Sequence, residues 1–179
     1  MKRIVIIGST GSGKTTLGKQ ISERLHSRCA HIELDALHWE PNWQEAPNEI
    51  MRERVSRALD CDSWVVDGNY STVRDLIWSR ADTIVWLDYS FAFVAWRLFR
   101  RTVRRIITQE KLWGDNRESW RTQFFSRDSL FLWFLETYPK RRHDYPILFQ
   151  RSEYAHLTIL RFHSQRETDQ WLNSMLVKQ

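Results

Sequence analysis

The apolar positions of this chain follow two different periods. Short continuous runs, Ile4-Val5-Ile6-Ile7 foremost, are apolar and β-branched throughout, as strands buried on both faces of a parallel sheet must be. They predict strands over 3–7, 31–34, 64–66, 82–87 and 157–161. Between the runs, apolar residues recur every three or four positions, as Leu17, Ile21 and Leu25 do, which marks one face of a helix. Helices are predicted over 14–27, 48–60, 71–79, 90–110, 118–126, 128–142 and 165–176. Strands alternating with helices imply right-handed crossovers and a parallel sheet covered on both sides. No repeat or low-complexity linker interrupts the pattern, so residues 1–179 read as a single α/β domain.

Between the first strand and the first helix lies Gly8-Ser9-Thr10-Gly11-Ser12-Gly13-Lys14-Thr15, which fits the pattern G-x-x-x-x-G-K-(S/T) at every fixed position. Glycines there let the backbone take positive φ and approach an oxygen closely, while successive N–H groups and the helix start present positive charge. Gly8 to Lys14, with Thr15 and Thr16, are therefore expected to cradle the phosphates of ATP or GTP. Lys14 is placed to reach the β- and γ-phosphates, and the Thr15 hydroxyl to ligate Mg²⁺.

Bulk properties narrow the partner. The 179 residues carry a net charge of +5, too modest to demand nucleic acid but suited to a substrate bearing phosphates. Cys29 and Cys61 stand apart, with no C-x-x-C pair or histidine cluster to suggest zinc, so a reducing, cytoplasmic setting is expected. The four-residue run before Gly8 is too short for a signal peptide core. No segment approaches the roughly 20 apolar residues of a membrane span. The greasiest stretch, Leu130 to Leu135, has the length of a core helix at most.

In a parallel sheet, ligands collect at the carboxyl ends of the strands. After the second strand comes Leu34-Asp35-Ala36-Leu37-His38-Trp39, and after the third Asp67-Gly68-Asn69-Tyr70. An aspartate at such a point can hold Mg²⁺, accept the proton of an attacking hydroxyl, or simply cap a helix or turn. Asp67 is assigned mainly to the metal alongside Thr15, and Asp35 to the acceptor. His38 is a candidate helper of Asp35. Trp39, Trp43 and Tyr70 could form a platform for a planar acceptor, although with ten tryptophans in the chain core packing is the default for any one of them.

Arg97, Arg100, Arg101, Arg104 and Arg105 fall within roughly 140° of arc on a helix of 3.6 residues per turn, with Leu98, Phe99, Val103 and Ile106 assigned to the opposite side. Guanidinium groups grip phosphate oxygens bidentately where ammonium groups do not. The polar loop Lys111 to Glu118 follows, and the region of about 100–126 is expected to act as a lid. Arg101 and Arg104 are the candidates to stabilise charge on a transferred phosphoryl group, while at least two of the five arginines are expected to be solvated or paired with acids such as Glu110, Asp115 and Glu118.

The phosphate loop, the segments beginning at Asp35 and Asp67, and the arginine-rich lid together resemble the adenylate-kinase-like P-loop proteins, nearest to bacterial proteins labelled topology modulation proteins. That resemblance implies a three-layer P-loop NTPase fold of nucleotide-kinase type, its five parallel strands in the order 2-3-1-4-5. It sets Asp67-Gly68 against the Asp-Gly segment after the third strand of adenylate kinases, and Arg74 near their acceptor-side arginine. It also puts Leu157 to Arg161 and the turn at His163-Ser164-Gln165 where related kinases pack the adenine base. One departure matters. Adenylate kinases hold the acceptor phosphate with an arginine after the second strand, whereas this chain has no Arg or Lys between Asp35 and Met51. Asp35 in that place suits a hydroxyl acceptor, which must lose a proton.

The expected protein is thus a Mg²⁺-dependent, ATP-using kinase. Its small-molecule acceptor would be a nucleoside, nucleotide or similar compound touching Asp35, His38, Trp39, Asp67, Asn69, Tyr70 and Arg74. The protein is expected to be a monomer or homodimer without membrane association. The rival expectation is a nucleotide-dependent regulatory or DNA-associated protein, in which ATP switches the lid. Nucleic acid ranks below a small molecule because the basic residues are local rather than spread over an extended patch.

Overall fold

Ile4, Val5, Ile6 and Ile7 are each at most 1% exposed, and they run through the middle of β1 (Arg3–Gly8). In the computed structural model, which describes residues 1–25, 31–120, 123 and 129–175, β1 is flanked by β3 (Trp64–Asp67) and β4 (Thr83–Leu87). Beyond these lie β2 (His31–Glu33) and β5 (Thr158–Phe162). All pairings are parallel and the order is β2-β3-β1-β4-β5, as expected. Register pairs Ile6 and Glu33 with Asp67, and Gly8 with Leu87, so the carboxyl ends of the strands form one rim.

Seven helices are described: α1 (Lys14–Arg24), α2 (Leu34–His38), α3 (Asn48–Ala58), α4 (Arg74–Trp78), α5 (Phe91–Thr108), α6 (Leu130–Phe149) and α7 (Gln165–Ser174). Alternation along the strands sorts them into two cores, because successive side chains point to opposite faces. Val5, Ile7, Val66, Ile84 and Trp86 face one way and meet Met51 and Val55 of α3, Ile77 and Trp78 of α4, and Tyr145 of α6. Ile4, Ile6, Val65, Val85 and Leu87 face the other, meeting Leu17 and Ile21 of α1, Leu98 of α5, Phe134 of α6 and Leu172 of α7. Each such side chain stabilises the fold by about 1.5–3 kcal/mol on burial. This is a three-layer P-loop arrangement.

Several boundaries differ from the sequence expectation. The second strand stops at Glu33, not 34, and Leu34 opens a short helix absent from the expected elements, so Asp35 and His38 are helical. The third strand runs on to Asp67, placing that carboxylate inside the sheet rim. The helix expected over 71–79 is a 3-10 turn, Ser71–Val73, followed by α4. The helix expected over 128–142 continues to Phe149 through Pro139 and Pro146. Tyr145 and Phe149 pack edge-on against Trp86, and that tertiary contact outweighs the two missing N–H donors. The greasy stretch is less buried than expected, since Leu132, Trp133 and Leu135 are exposed while Phe134 enters the core. Phe99 likewise is exposed rather than part of the apolar side of α5, which consists of Val94, Leu98, Thr102 and Ile106. Most of the helix expected over 118–126, the end of the one over 14–27, and Cys29 lie outside the described residues. Cys61 is exposed. Among the described residues no helix is long and apolar enough to cross a membrane.

Candidate active site

The glycine-rich turn joins β1 to α1 with Gly11 at φ 82° and Gly13 at φ 99°, left-handed conformations that favour glycine. Ser12 N–H donates to the Ser9 carbonyl at 3.1 Å, closing the loop on itself. Asn69 clamps it from the β3 side: its amide nitrogen donates to the Gly8 carbonyl at 2.6 Å, and its amide oxygen accepts from the Gly8 N–H at 3.3 Å. Thr16 lies exposed in the first turn of α1. Lys14 donates to the Ser9 carbonyl at 3.2 Å. Burial brings its pKa down to about 8; Asp67 and Asp35 act against that, while Arg141 and Arg101 add to it. Those four charges therefore surround the lysine.

Thr15 Oγ1 donates to Asp67 Oδ1 at 3.4 Å, and the other oxygen, Oδ2, accepts from His31 Nε2 at 2.6 Å. The His31 ring sits against Gly18, where a Cβ would collide with it. No group of three or more His, Cys, Asp or Glu that could hold a metal occurs among the described residues. Two adjacent hard oxygen donors, one neutral and one anionic, fit Mg²⁺, which keeps several waters and takes few protein ligands. Thr15 and Asp67 are the residues that would hold it.

On the acceptor side, Tyr70 Oη donates to Asp35 Oδ1 at 2.6 Å. Burial, reinforced by Asp35, raises the Tyr70 pKa above its ordinary value, so the phenol keeps its proton and remains a donor. His38 is buried between the rings of Trp39, 4.7 Å away, and Tyr70, 4.4 Å away. Its Nδ1 has no hydrogen-bond partner, and its Nε2 lies 3.7 Å from Glu45 Oε1. Trp39 meets Trp43 edge-on at 5.5 Å, so these aromatics pack on one another as well as facing the site. Arg74 lies over Trp78, 5.3 Å from the ring centre.

The five arginines of α5 separate. Arg101 Nη2 donates to Thr10 Oγ1 at 3.3 Å. Arg97 covers Gly13 and donates to Gln165 Oε1 at 2.6 Å, tying the loop to the start of α7. Burial, then Arg105, lowers Arg101 to about 10, which leaves it cationic at neutral pH. Arg104 is 65% exposed and pairs with Glu110 at 3.1 Å. Arg105 pairs with the buried Glu118 at 3.2 Å, and Arg100 is exposed. The structure thus brings Arg97 and Arg101 to the phosphate loop and turns Arg104 and Arg105 towards acids.

The loop after α5 is docked on the segment after β2. Asn116, buried, donates to the Glu40 carbonyl at 2.8 Å and accepts from the Trp43 N–H at 2.9 Å. Trp113 Nε1 donates to Glu33 Oε2 at 3.3 Å, and Gly114 packs on the Glu40-Pro41 backbone. Asn42, Trp43 and Asp115 take positive φ at this contact, a strained arrangement for residues with side chains.

Two contributors, His31 and Arg141, escape sequence reasoning, and a third, Asn69, is expected as an acceptor contact but clamps the phosphate loop. His31 opens a strand with no spacing signature. The role of Asn69 is a contact across 61 residues. Arg141 sits in a Lys-Arg-Arg run that has the look of a solvated helix face, yet it acts electrostatically on Lys14.

A search of curated protein sequences found no match. Among solved structures, a gluconokinase from Sinorhizobium meliloti 1021 aligns with 99% of this chain and 92% of its own, at 19% identity and a TM-score of 0.53. That likeness places the chain among P-loop proteins of kinase-like fold and leaves its substrate open. The topology-modulation resemblance gains no support from these comparisons. The family model described as ethanolamine utilisation - propanediol utilisation, PduV-EutP, matches residues 1–120, from β1 through the docked loop, and the chain belongs to that family.

Proposed function

We propose that this protein is a Mg-ATP-dependent kinase that phosphorylates a small hydroxyl-bearing acceptor, with nucleosides and nucleotides the leading classes. The observation that carries this reading is the Asp35 carboxylate, one oxygen held by Tyr70 at 2.6 Å and the whole group within electrostatic reach of Lys14 and Arg101. The backbone of Gly8 to Thr15 and the start of α1 would receive the phosphates, with Lys14, Arg97 and Arg101 neutralising their charge. Mg²⁺ on Thr15 and Asp67 would supply Lewis-acid polarisation of the phosphate oxygens. The acceptor oxygen then bonds to the γ-phosphorus as the bond to the β,γ-bridging oxygen breaks. ADP leaves with that electron pair and Asp35 takes the acceptor proton. Tyr70 fixes Oδ1, which frees Oδ2 for the acceptor hydroxyl.

A panel of nucleosides, nucleoside monophosphates and small hydroxy compounds, followed with Mg-ATP by ³¹P NMR, tests the proposal. A new phosphomonoester resonance accompanying ADP is expected. Release of inorganic phosphate alone, at a rate no acceptor changes, contradicts it.

The family description names two utilisation systems, which is also compatible with a second reading as a nucleotide-dependent regulatory or DNA-associated protein. ATP hydrolysis that rises with DNA and with no small acceptor would mark that reading as the right one.

A further inference from the structure

Asp67 ends β3 inside the rim of the sheet, and its two oxygens are held unequally. Oδ2 takes a short hydrogen bond from His31 Nε2 at 2.6 Å, whereas Oδ1 has only the longer contact with Thr15 Oγ1 at 3.4 Å. As a metal ligand Asp67 is a carboxylate, which can only accept, so Nε2 carries the hydrogen. The His31 and Asp67 side chains are 6% and 4% exposed, and little water competes for that bond. The ring is fixed on its other sides as well. Its Nδ1 lies 3.9 Å from Glu33 Oε1, and Glu33 is in turn held by Lys19 at 3.4 Å and by Trp113 Nε1 at 3.3 Å. Gly18 of α1 leaves the space that the imidazole fills, since a Cβ there would collide with Nε2.

The competing partner for Asp67 is Lys14. Its ammonium feels the charge of Asp67, yet it makes its hydrogen bond to the Ser9 carbonyl at 3.2 Å. An Asp67 free to turn towards Lys14 would neutralise the cation meant for the phosphates and withdraw an oxygen from the metal. Mg²⁺ demands near-ideal octahedral geometry and takes few protein ligands, so misplacing one of two weakens the site.

Resting on the Mg-ATP part of the kinase reading and not on its acceptor, we infer that His31 is a positioning residue of the metal site: its Nε2–H fixes Asp67 Oδ2 and so aims Oδ1, beside Thr15 Oγ1, at Mg²⁺. A group that orients a metal ligand without touching the metal commonly changes metal affinity by about 10–100-fold when it is removed.

Binding rather than turnover tests this, on the full chain. Calorimetry compares the β,γ-imido analogue of ATP in Mg²⁺ and in EDTA, and the ratio of the two affinities is the contribution of the metal. A glutamine amide nitrogen falls where Nε2 lies and can donate to Oδ2; an asparagine amide falls nearer Nδ1 and cannot reach it. His31→Asn should therefore cut the ratio about tenfold or more, while His31→Gln keeps it within about threefold of wild type. Affinity in EDTA should stay within about threefold in both, a split that a merely structural role would not produce. Gly18→Ala, which crowds the ring from α1, should act like His31→Asn. With Mn²⁺ in place of Mg²⁺, the bound metal counted by EPR should follow the same order. A ratio that His31→Asn leaves intact overturns the inference, as does equal loss in the two His31 variants or a fall in EDTA as large as that in Mg²⁺. No enhancement by metal in the wild type removes the metal assignment and the inference with it. A ratio that depends on His31 supports the inference even where no acceptor is phosphorylated, an outcome that fails the kinase reading alone.

Discussion

With its pKa near 8, the buried ammonium of Lys14 holds its proton at neutrality with little margin. The folded protein releases this proton more readily than the unfolded chain, whose lysine keeps the ordinary value of 10.5. Below pH 8 the buried charge therefore costs stability, and that cost falls away as pH rises towards the unfolded value. Phosphates on the loop favour the charged form and reverse the shift. Mg-ATP affinity should hold steady below pH 8 and decline above it. There, calorimetry in buffers of different ionisation enthalpy should detect a proton taken up on binding. Lys14→Ala should abolish tight Mg-ATP binding while leaving the melting temperature close to wild type, since Lys14 opens α1 at the end of the loop and belongs to neither core. Unchanged affinity in that variant would contradict the assignment of the loop. Tyr70→Phe removes only the hydroxyl that holds Asp35. It should lower kcat and spare ATP affinity, checked by comparing kcat with the ATP dissociation constant.

At the scale of elements, α5 sorts its arginines by what each can reach. Arg101 touches Thr10 and Arg104 touches Glu110. Arg101→Lys keeps the charge but loses the planar fork, and should lower kcat by about 10-fold or more. Arg104→Lys should leave turnover within about twofold, as expected of an exposed pair. Equal losses in steady-state assays of the two variants would contradict this division of roles along α5. The docked loop gives a separate test. Asn116 bridges it to Glu40 and Trp43, so Asn116→Ala should cost about 1–3 kcal/mol in thermal or denaturant unfolding, with faster amide exchange over 111–118. The amphipathic character of α5 was legible in part: Leu98 and Ile106 are buried as the spacing implied, whereas the buried stripe also takes Val94 and Thr102 in place of Phe99 and Val103. The five-residue helix α2 was not, since one turn is too short to display a period. Nor was the continuation of α6, where contacts of Tyr145 and Phe149 with Trp86 override two prolines.

For the whole molecule, the layer count follows from the burial of β1 on both faces, which is written in Ile4 to Ile7, whereas the strand order was implied by the resemblance to adenylate-kinase-like proteins. The phosphate loop was equally plain, because its glycines and Lys14 serve a local geometry. The rest of the site was harder to read, being assembled from residues far apart in the chain: His31 on Asp67, Asn69 on Gly8, Arg141 beside Lys14 and Asp35. A fold shared with a gluconokinase at 19% identity names no substrate, so the account stands or falls on what Asp35 does. The most direct measurement compares Asp35→Asn with wild type, using an acceptor identified by ³¹P NMR and measuring ATP affinity by calorimetry. Asparagine can hold a hydroxyl but cannot take its proton. The account predicts a fall in kcat of ~10²-fold or more, loss of the acidic limb of the pH profile, and nearly unchanged ATP affinity. If every kinetic parameter stays within about twofold and the best acceptor is a nucleoside monophosphate accepting on its phosphate, Asp35 is not the base and the hydroxyl-acceptor account is contradicted.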